Sequence, residues 1–257
     1  MPTTILDLKT KTGICKTEIH TPEGQGPWPA VIVCFDAFGV RPSISAIAER
    51  ISKLGYVVAV PDFYHEAGSP YDMLPAGTPH NVAGAMSIFA DPDLRAKWGA
   101  KFYAPALEYS HLENDVAPLL EYFAGHAHVK GGVGTTGYCM GGNMSVRIAT
   151  IFGDKIAATA SFHGGGLVTP APDSPHLRAD KIKSRVYVAG AIEDGSFTDE
   201  NKQALESALT AAHVDHQIET YPAKHGFAVA DHDVFDAAAA ERHYQAMEKL
   251  FGETLRN

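Results

Sequence analysis

Three residue types in this 257-residue chain could together perform nucleophilic catalysis: a cysteine, a carboxylate and a histidine, met in that order. Cys139 stands in Gly137-Tyr138-Cys139-Met140-Gly141-Gly142. Gly-x-nucleophile-x-Gly between a strand and a helix marks a sharp turn that exposes one side chain, with glycines where neighbouring backbone comes close. A cysteine there lies at a helix N-terminus, whose partial positive charge favours the reactive thiolate. Asp194 lies in Glu193-Asp194-Gly195, and His225 in Lys224-His225-Gly226-Phe227. The histidine would take or hold the thiol proton, and the carboxylate would fix the imidazole tautomer. Glu193 is a rival for that role, but the shorter side chain on a turn before glycine makes Asp194 the better orienting acid. Each residue alone also has a plainer reading: a small buried thiol, a turn carboxylate, a surface-loop histidine. Their order favours chemistry.

Those residues need a scaffold that brings them together. Residues 129–133 read as a strand before the cysteine turn. Met144, Ile148, Ile151 and Phe152 recur at helical spacing over 143–152. Residues 5–10 and 14–20 flank Lys11-Thr12-Gly13 as a hairpin. Ala30-Val31-Ile32-Val33-Cys34-Phe35 and Tyr56-Val57-Val58-Ala59-Val60-Pro61 are continuous apolar runs, as in strands buried on both faces of a parallel sheet. Between them a helix from Ser43 carries Ile44, Ile47, Ile51 and Leu54 on one face and ends at Gly55, making a right-handed βαβ unit. Asp36 follows the first run at its carboxyl end, where open α/β sheets bind ligands.

Further strands are expected at 156–162, 185–189 and 216–221, and helices at 111–123, 200–212 and 235–251. Asp194 and His225 each follow a strand, so they should meet Cys139 at one edge of the sheet. Residues 62–110 read as irregular, broken by Pro70, Pro75, Pro79 and Pro92, with one helix at 94–102. Such an excursion suits a loop-rich cap, with Arg95, Trp98, Phe102 and Tyr103 as candidates to line a pocket. His163-Gly164-Gly165-Gly166 reads as a loop, because no Walker-type helix follows.

With 45% hydrophobic and 20% charged residues and no low-complexity run, residues 1–257 suit one large α/β domain. A net charge of −9 without a Lys/Arg cluster argues against nucleic acid and anionic membranes as partners. The start of the chain lacks the basic and apolar blocks of a signal peptide. No apolar run approaches the ~18 residues that cross a bilayer. Cys15, Cys34 and Cys139 form no disulfide framework, which suits a reducing cytoplasm. Cys34 reads as core packing and Cys15 as part of the edge hairpin. Of thirteen histidines, His126-x-His128 is the only tight pair and no His-Glu-x-x-His occurs, so no metal centre is expected. The chemistry above requires no cofactor.

Nucleophile, acid, base is the chain order of α/β-hydrolases. The chain resembles the dienelactone hydrolases (carboxymethylenebutenolidases) of that superfamily over roughly residues 30–251. Asp36-Ala37-Phe38-Gly39-Val40, Gly55-Tyr56, Pro61-Asp62, Gly137-Tyr138-Cys139-Met140-Gly141-Gly142, Glu193-Asp194 and His225-Gly226-Phe227 carry the resemblance. It implies an α/β-hydrolase fold, with a mostly parallel central sheet flanked by helices on both faces. It also implies a triad of Cys139, His225 and Asp194, and an oxyanion hole from the N–H groups of Ala37 and Met140. A carboxylate that interacts with the thiol is usually Glu in this family and is Asp36 here, one methylene shorter. The implied substrate is a small ester or enol-lactone, for which Phe38, Arg41 and Phe227 are candidate contacts. Family members acting on dienelactone carry an Arg two residues after the Phe of His-x-Phe; this chain has Val229. Arg41 and Arg95 are the candidate replacements. A thioesterase, carboxylesterase or amidase, a ligand-binding relative without turnover, and a redox-sensing thiol are the alternatives. Monomer and homodimer both stay open.

Overall fold

The apolar runs become the centre of an eight-stranded sheet with strand order β1-β2-β4-β3-β5-β6-β7-β8. The structure, a computed structural model, describes residues 3–256. Met1 and Pro2, where the segment read for targeting features begins, and Asn257 lie outside the described residues. In chain order the first elements are β1 (Thr3–Lys9), β2 (Ile14–His20), β3 (Trp28–Cys34), α1 (Pro42–Lys53) and β4 (Val57–Pro61). Then come α2 (Val82–Ala90), α3 (Pro92–Trp98), α4 (Ala104–Leu107), α5 (Tyr109–Gly125), β5 (Val129–Tyr138) and α6 (Met140–Phe152). The chain closes with β6 (Ala158–Phe162), β7 (Arg185–Gly190), α7 (Asp199–Ala211), β8 (His216–Thr220) and α8 (Ala237–Thr254). Strands β3 to β8 run parallel, while β2 pairs antiparallel with both β1 and β4. This is the α/β-hydrolase architecture.

Helices cover both faces, and the glycines of β5 show how closely. A Cβ on Gly134 would lie 3.0 Å from Phe251 and Leu255 at the α8 end, whereas one on Gly137 would lie 1.9 Å from the Gly141 carbonyl of α6. An odd residue separation along a strand places the two on opposite faces. Helix α6 is buried from Met140 to Thr150, as expected of a helix wedged against the middle of the sheet. Among the described residues, no helix is long and apolar enough to cross a membrane.

Two expectations need correction. Strand β5 does not stop at Val133 but runs to Tyr138, and α6 begins directly after the cysteine at Met140. The segment 62–110 is not irregular: it holds the 3-10 turn Pro70–Met73, α2, α3, the π turn Gly99–Tyr103 and α4. Its prolines do not break helices. Pro70 and Pro92 sit in the first positions of their own helices, where no backbone N–H is needed, and Pro105 follows the π turn Gly99–Tyr103 in backbone that stays helical to Leu107. Asn81 caps α2 by accepting the Gly84 N–H at 2.8 Å, and Asp91 caps α3 by accepting from Asp93 and Leu94.

A Cβ at Gly141 would lie 2.2 Å from the Cys34 carbonyl oxygen, which is backbone and cannot step aside. Gly141→Ala should therefore destabilise the fold by about 2–3 kcal/mol, read as a lowered urea midpoint. An unchanged midpoint would mean that α6 and β3 are not locked at this contact.

Candidate active site

Strand β5 ends at Tyr138, and the next residue takes a backbone conformation that side chains rarely adopt. Cys139 has φ 53° and ψ −118°, a conformation costing roughly 1–3 kcal/mol that persists only where surrounding structure imposes it. The surroundings do so through the backbone on both sides of the residue. The Cys139 N–H donates to the Phe162 carbonyl and to His163 Nδ1, each at 3.1 Å, while its carbonyl accepts from Gly142 at 3.0 Å and Gly165 at 3.3 Å. The side chain is left half-buried on the wall of a cavity.

His163, read from sequence only as the start of a glycine loop, is thus part of the turn. It is fully buried, and burial followed by the nearby His225 pushes its pKa well below the ordinary value, so it is neutral. Since Nδ1 accepts from Cys139, the proton belongs on Nε2. That nitrogen has no hydrogen-bond partner among the described residues. The ring stands edge-on to His225 (centroids 5.1 Å apart) and to Phe227 (4.9 Å).

Asp194 and His225 are brought together as expected, with Oδ2 2.7 Å from Nδ1. Glu193 is exposed, so the shorter acid is the partner. Ser196 completes the pair: its N–H and hydroxyl donate to Asp194 Oδ1 at 2.9 and 2.6 Å, which fixes the carboxylate plane. Burial opposes charge on His225, but the facing Cys139 sulfur and Asp194 outweigh it and raise its pKa to about 10. Burial likewise opposes charge on Asp194, and the hydrogen bond from His225 reverses the effect and lowers its pKa.

Ala37 and Met140 line the same cavity as Cys139 and His225. Met140 opens α6, so its N–H has no intrahelical acceptor. Tyr64 holds both residues from behind: its hydroxyl donates to the Ala37 carbonyl at 3.3 Å and lies 3.6 Å from Met140 Sδ.

The remaining expectations are redistributed. Asp36 is fully buried and accepts from Arg41 at both oxygens (2.7 and 2.8 Å), from the Phe38 N–H at 3.0 Å, and pairs with His232 Nε2 at 3.0 Å. Among the described residues it makes no hydrogen bond to the Cys139 sulfur. Arg41 is turned toward the protein's own acceptors. Its other donors go to Asp231 at 2.7 and 2.9 Å and to the Gly39 carbonyl at 3.2 Å, so all five N–H groups are taken. Phe227 belongs to the core, stacked on Tyr221 at 5.2 Å. Arg95 is exposed and Val229 is buried. Phe38 does line the cavity, and so does His232, which sequence reasoning did not single out. That cavity of 460 Å³ is walled by Val82, Met86 and Phe89 of α2 with Trp98 and Tyr103 beyond, all from the segment 62–110.

A model of the dienelactone hydrolase family matches residues 15–255. A Synechocystis protein named "Putative carboxymethylenebutenolidase" is 28% identical over 240 residues, covering 91% of this chain and 90% of that one. Carboxymethylenebutenolidase 1 of Cupriavidus pinatubonensis is 24% identical over 211 residues, covering 82% and 80%. Among solved structures, a dienelactone hydrolase-like promiscuous phosphotriesterase from metagenomic libraries superimposes with a TM-score of 0.73 at 24% identity. It covers 99% of this chain and 98% of that one, a likeness of fold.

The Asp36 network generates a test of its own. Burial alone would raise the Asp36 pKa, but the His232 hydrogen bond and the Arg41 charge hold it well below its ordinary 3.8. The unfolded chain takes up this proton near pH 3.8 and the folded chain does not. Stability from this group is therefore complete above that pH and is lost as pH falls toward the folded pKa. Asp36→Asn should cost about 3–5 kcal/mol at neutral pH by leaving Arg41 underpaired, and should flatten the acid loss of stability. Urea titrations across the acid range check both. Unchanged stability and acid slope would contradict the assignment.

Proposed function

The chain belongs to the dienelactone hydrolase family of α/β-hydrolases, and from that premise we propose that it hydrolyses uncharged esters or enol-lactones through Cys139, with His225 as proton carrier and Asp194 as its orienting acid. Family membership makes the protein a hydrolase of lactones or esters; nucleophile and substrate class are the proposal. One observation carries it: Cys139, held in a left-handed turn, lines the same cavity as His225, Ala37 and Met140.

The Cys139 thiolate attacks the carbonyl carbon, and the C=O electron pair moves onto oxygen, where the N–H groups of Ala37 and Met140 receive it. Preorganised donors of this kind are worth about 3 kcal/mol each. The tetrahedral intermediate collapses, the C–O bond breaks, and the departing oxygen takes the proton from His225 Nε2. A thioester remains. The sulfur charge, which after burial is the leading influence on His225, has now gone into a covalent bond. His225 is thereby released as a neutral base and draws a proton from water as that water attacks the thioester. Collapse of the second intermediate yields the acid, returns the thiolate and leaves His225 protonated. Asp194 keeps Nδ1–H in place throughout. A thiolate expels a basic alkoxide reluctantly, so enol and aryl leaving groups are favoured.

Charge selects the substrate. Among the described residues lining the cavity there is no Lys or Arg, and Asp233 is present. With Arg41 fully engaged and Val229 in the core, a substrate carboxylate would enter beside apolar walls and a like charge. An unpaired buried charge costs several kcal/mol.

The expected outcome is hydrolysis of p-nitrophenyl acetate that falls to background in Cys139→Ala and by roughly 10²–10⁴-fold in His225→Gln. A dienelactone methyl ester should be turned over about 100-fold better, by kcat/KM, than the free acid. Full activity in Cys139→Ala would remove the nucleophile assignment. Preference for the free acid would remove the substrate class.

A further inference from the structure

On the far side of Tyr64 from the catalytic cavity, two histidines and two carboxylates converge where the β1–β2 turn, the turn after β4 and the start of α5 meet. One ring nitrogen each of His65 and His111 and a carboxylate oxygen of Glu66 lie within 4.8 Å of one another. The rings are stacked, with centroids 5.9 Å apart and planes 15° from parallel. We propose that His65, His111 and Glu66 bind a single divalent transition-metal ion of the zinc type, with Asp115 holding both imidazoles in the tautomer that ligation needs.

The hydrogen bonds set the tautomers. His65 Nε2 lies 3.2 Å from each oxygen of the buried Asp115. His111 Nε2 lies 3.0 Å from the Phe63 carbonyl and 3.3 Å from Asp115 Oδ2. A carbonyl and a carboxylate only accept, so both Nε2 atoms carry the protons and both Nδ1 atoms keep a lone pair. This is the carboxylate–histidine–metal arrangement, in which an outer acid orients and strengthens the ligand. His111 Nδ1 stands 3.5 Å from Glu66 Oε1. Two ligands of one tetrahedral zinc, each at about 2.0–2.1 Å, are separated by roughly 3.3–3.4 Å, so this pair is already at ligand spacing and His65, within 4.8 Å of both, closes the set by moving inward.

The outer contacts hold the third ligand too. Thr12 donates its hydroxyl to Glu66 Oε1 at 2.7 Å, and Asn114 Nδ2 donates to Thr12 Oγ1 at 3.0 Å. The carboxylates of Glu66 and Asp115 together balance a divalent charge. Two His and one Glu leave a fourth position, and Glu66 and His111 line an open cleft of 650 Å³ that supplies water and an access route. Cys15 also approaches His65 and Asp115. Its thiol is buried and directed at the Asp62 carbonyl, 3.6 Å away, and Cys15 is not part of the group that His65, Glu66 and His111 form, so it stands outside the ligand set.

Calorimetric titration of the whole protein with Zn²⁺ tests this, alongside the visible spectrum of the Co²⁺-loaded protein. One ion per chain is expected, with the absorption of a tetrahedral nitrogen–oxygen site and no sulfur-to-cobalt charge-transfer band. Glu66→Gln, an exposed change, and His111→Ala should each weaken binding about 100-fold or more, and Asp115→Asn about 10–100-fold. Glu66→Gln should leave ester hydrolysis unaltered, which separates this site from the catalytic cavity. Absence of stoichiometric binding, or binding indifferent to both Glu66→Gln and His111→Ala, would overturn the proposal. So would a sulfur charge-transfer band that disappears in Cys139→Ala, because it would put the ion at the nucleophile.

Discussion

Cys139 is held at positive φ because α6 presses into the sheet so closely that no other path from β5 is open. Gly137 meets the Gly141 carbonyl, Gly141 meets the Cys34 and Phe35 carbonyls, and Gly142 meets Ser161 and Gly164. The turn therefore registers β5 and α6 against β3 and β6 at once. Everything at the site depends on that contact: it aims the sulfur into the cavity, frees the first N–H of α6, and sets Ala37 beside it. His163 adds a constraint from the strand end opposite by accepting the Cys139 N–H. Its neutrality matters, because a protonated Nδ1 would have no lone pair to offer.

Charge is arranged in two separate acid–histidine pairs on the walls of one cavity, and they are not equivalent. Asp194 with His225 faces the sulfur, and in the proposed mechanism His225 changes protonation during turnover. Asp36 with His232 is tied to Arg41 and Asp231 and is saturated with hydrogen bonds. A carboxylate satisfied on every side has little left to offer a thiol. The Asp36 cluster instead anchors the loop after β3 to the loop after His225, and through Phe38 it shapes the cavity mouth. Spending Arg41 inside the protein also leaves the described pocket lining without a lysine or arginine.

The parts legible in the sequence were those whose signal is local. Continuous apolar runs marked β3 and β4, and glycines around Cys139 marked the turn. The order Cys139, Asp194, His225 placed all three at strand ends. The shorter acid was preferred over Glu193 on side-chain reach, and the pairing at 2.7 Å agrees. What was missed depends on partners distant in the chain. Arg41 looked available because Asp231 lies 190 residues away. Phe227 looked like a pocket residue because its stacking on Tyr221 has no sequence signature. Prolines at 70 and 92 were read as breakers, whereas their place at helix starts makes them initiators, with Asn81 and Asp91 as the caps that could have signalled this. The glycines and threonines of 134–137 were read as turn when they are strand, since those glycines answer to close packing by α6 and α8.

Intact-protein mass spectrometry after rapid acid quench with p-nitrophenyl acetate tests the proposed covalent intermediate at Cys139 most directly. The expected result is a transient acetyl adduct that peptide mapping places on Cys139 and that persists longer in His225→Gln, where the base for deacylation is gone. Steady turnover with no adduct, or an adduct mapped to any other residue, would contradict it.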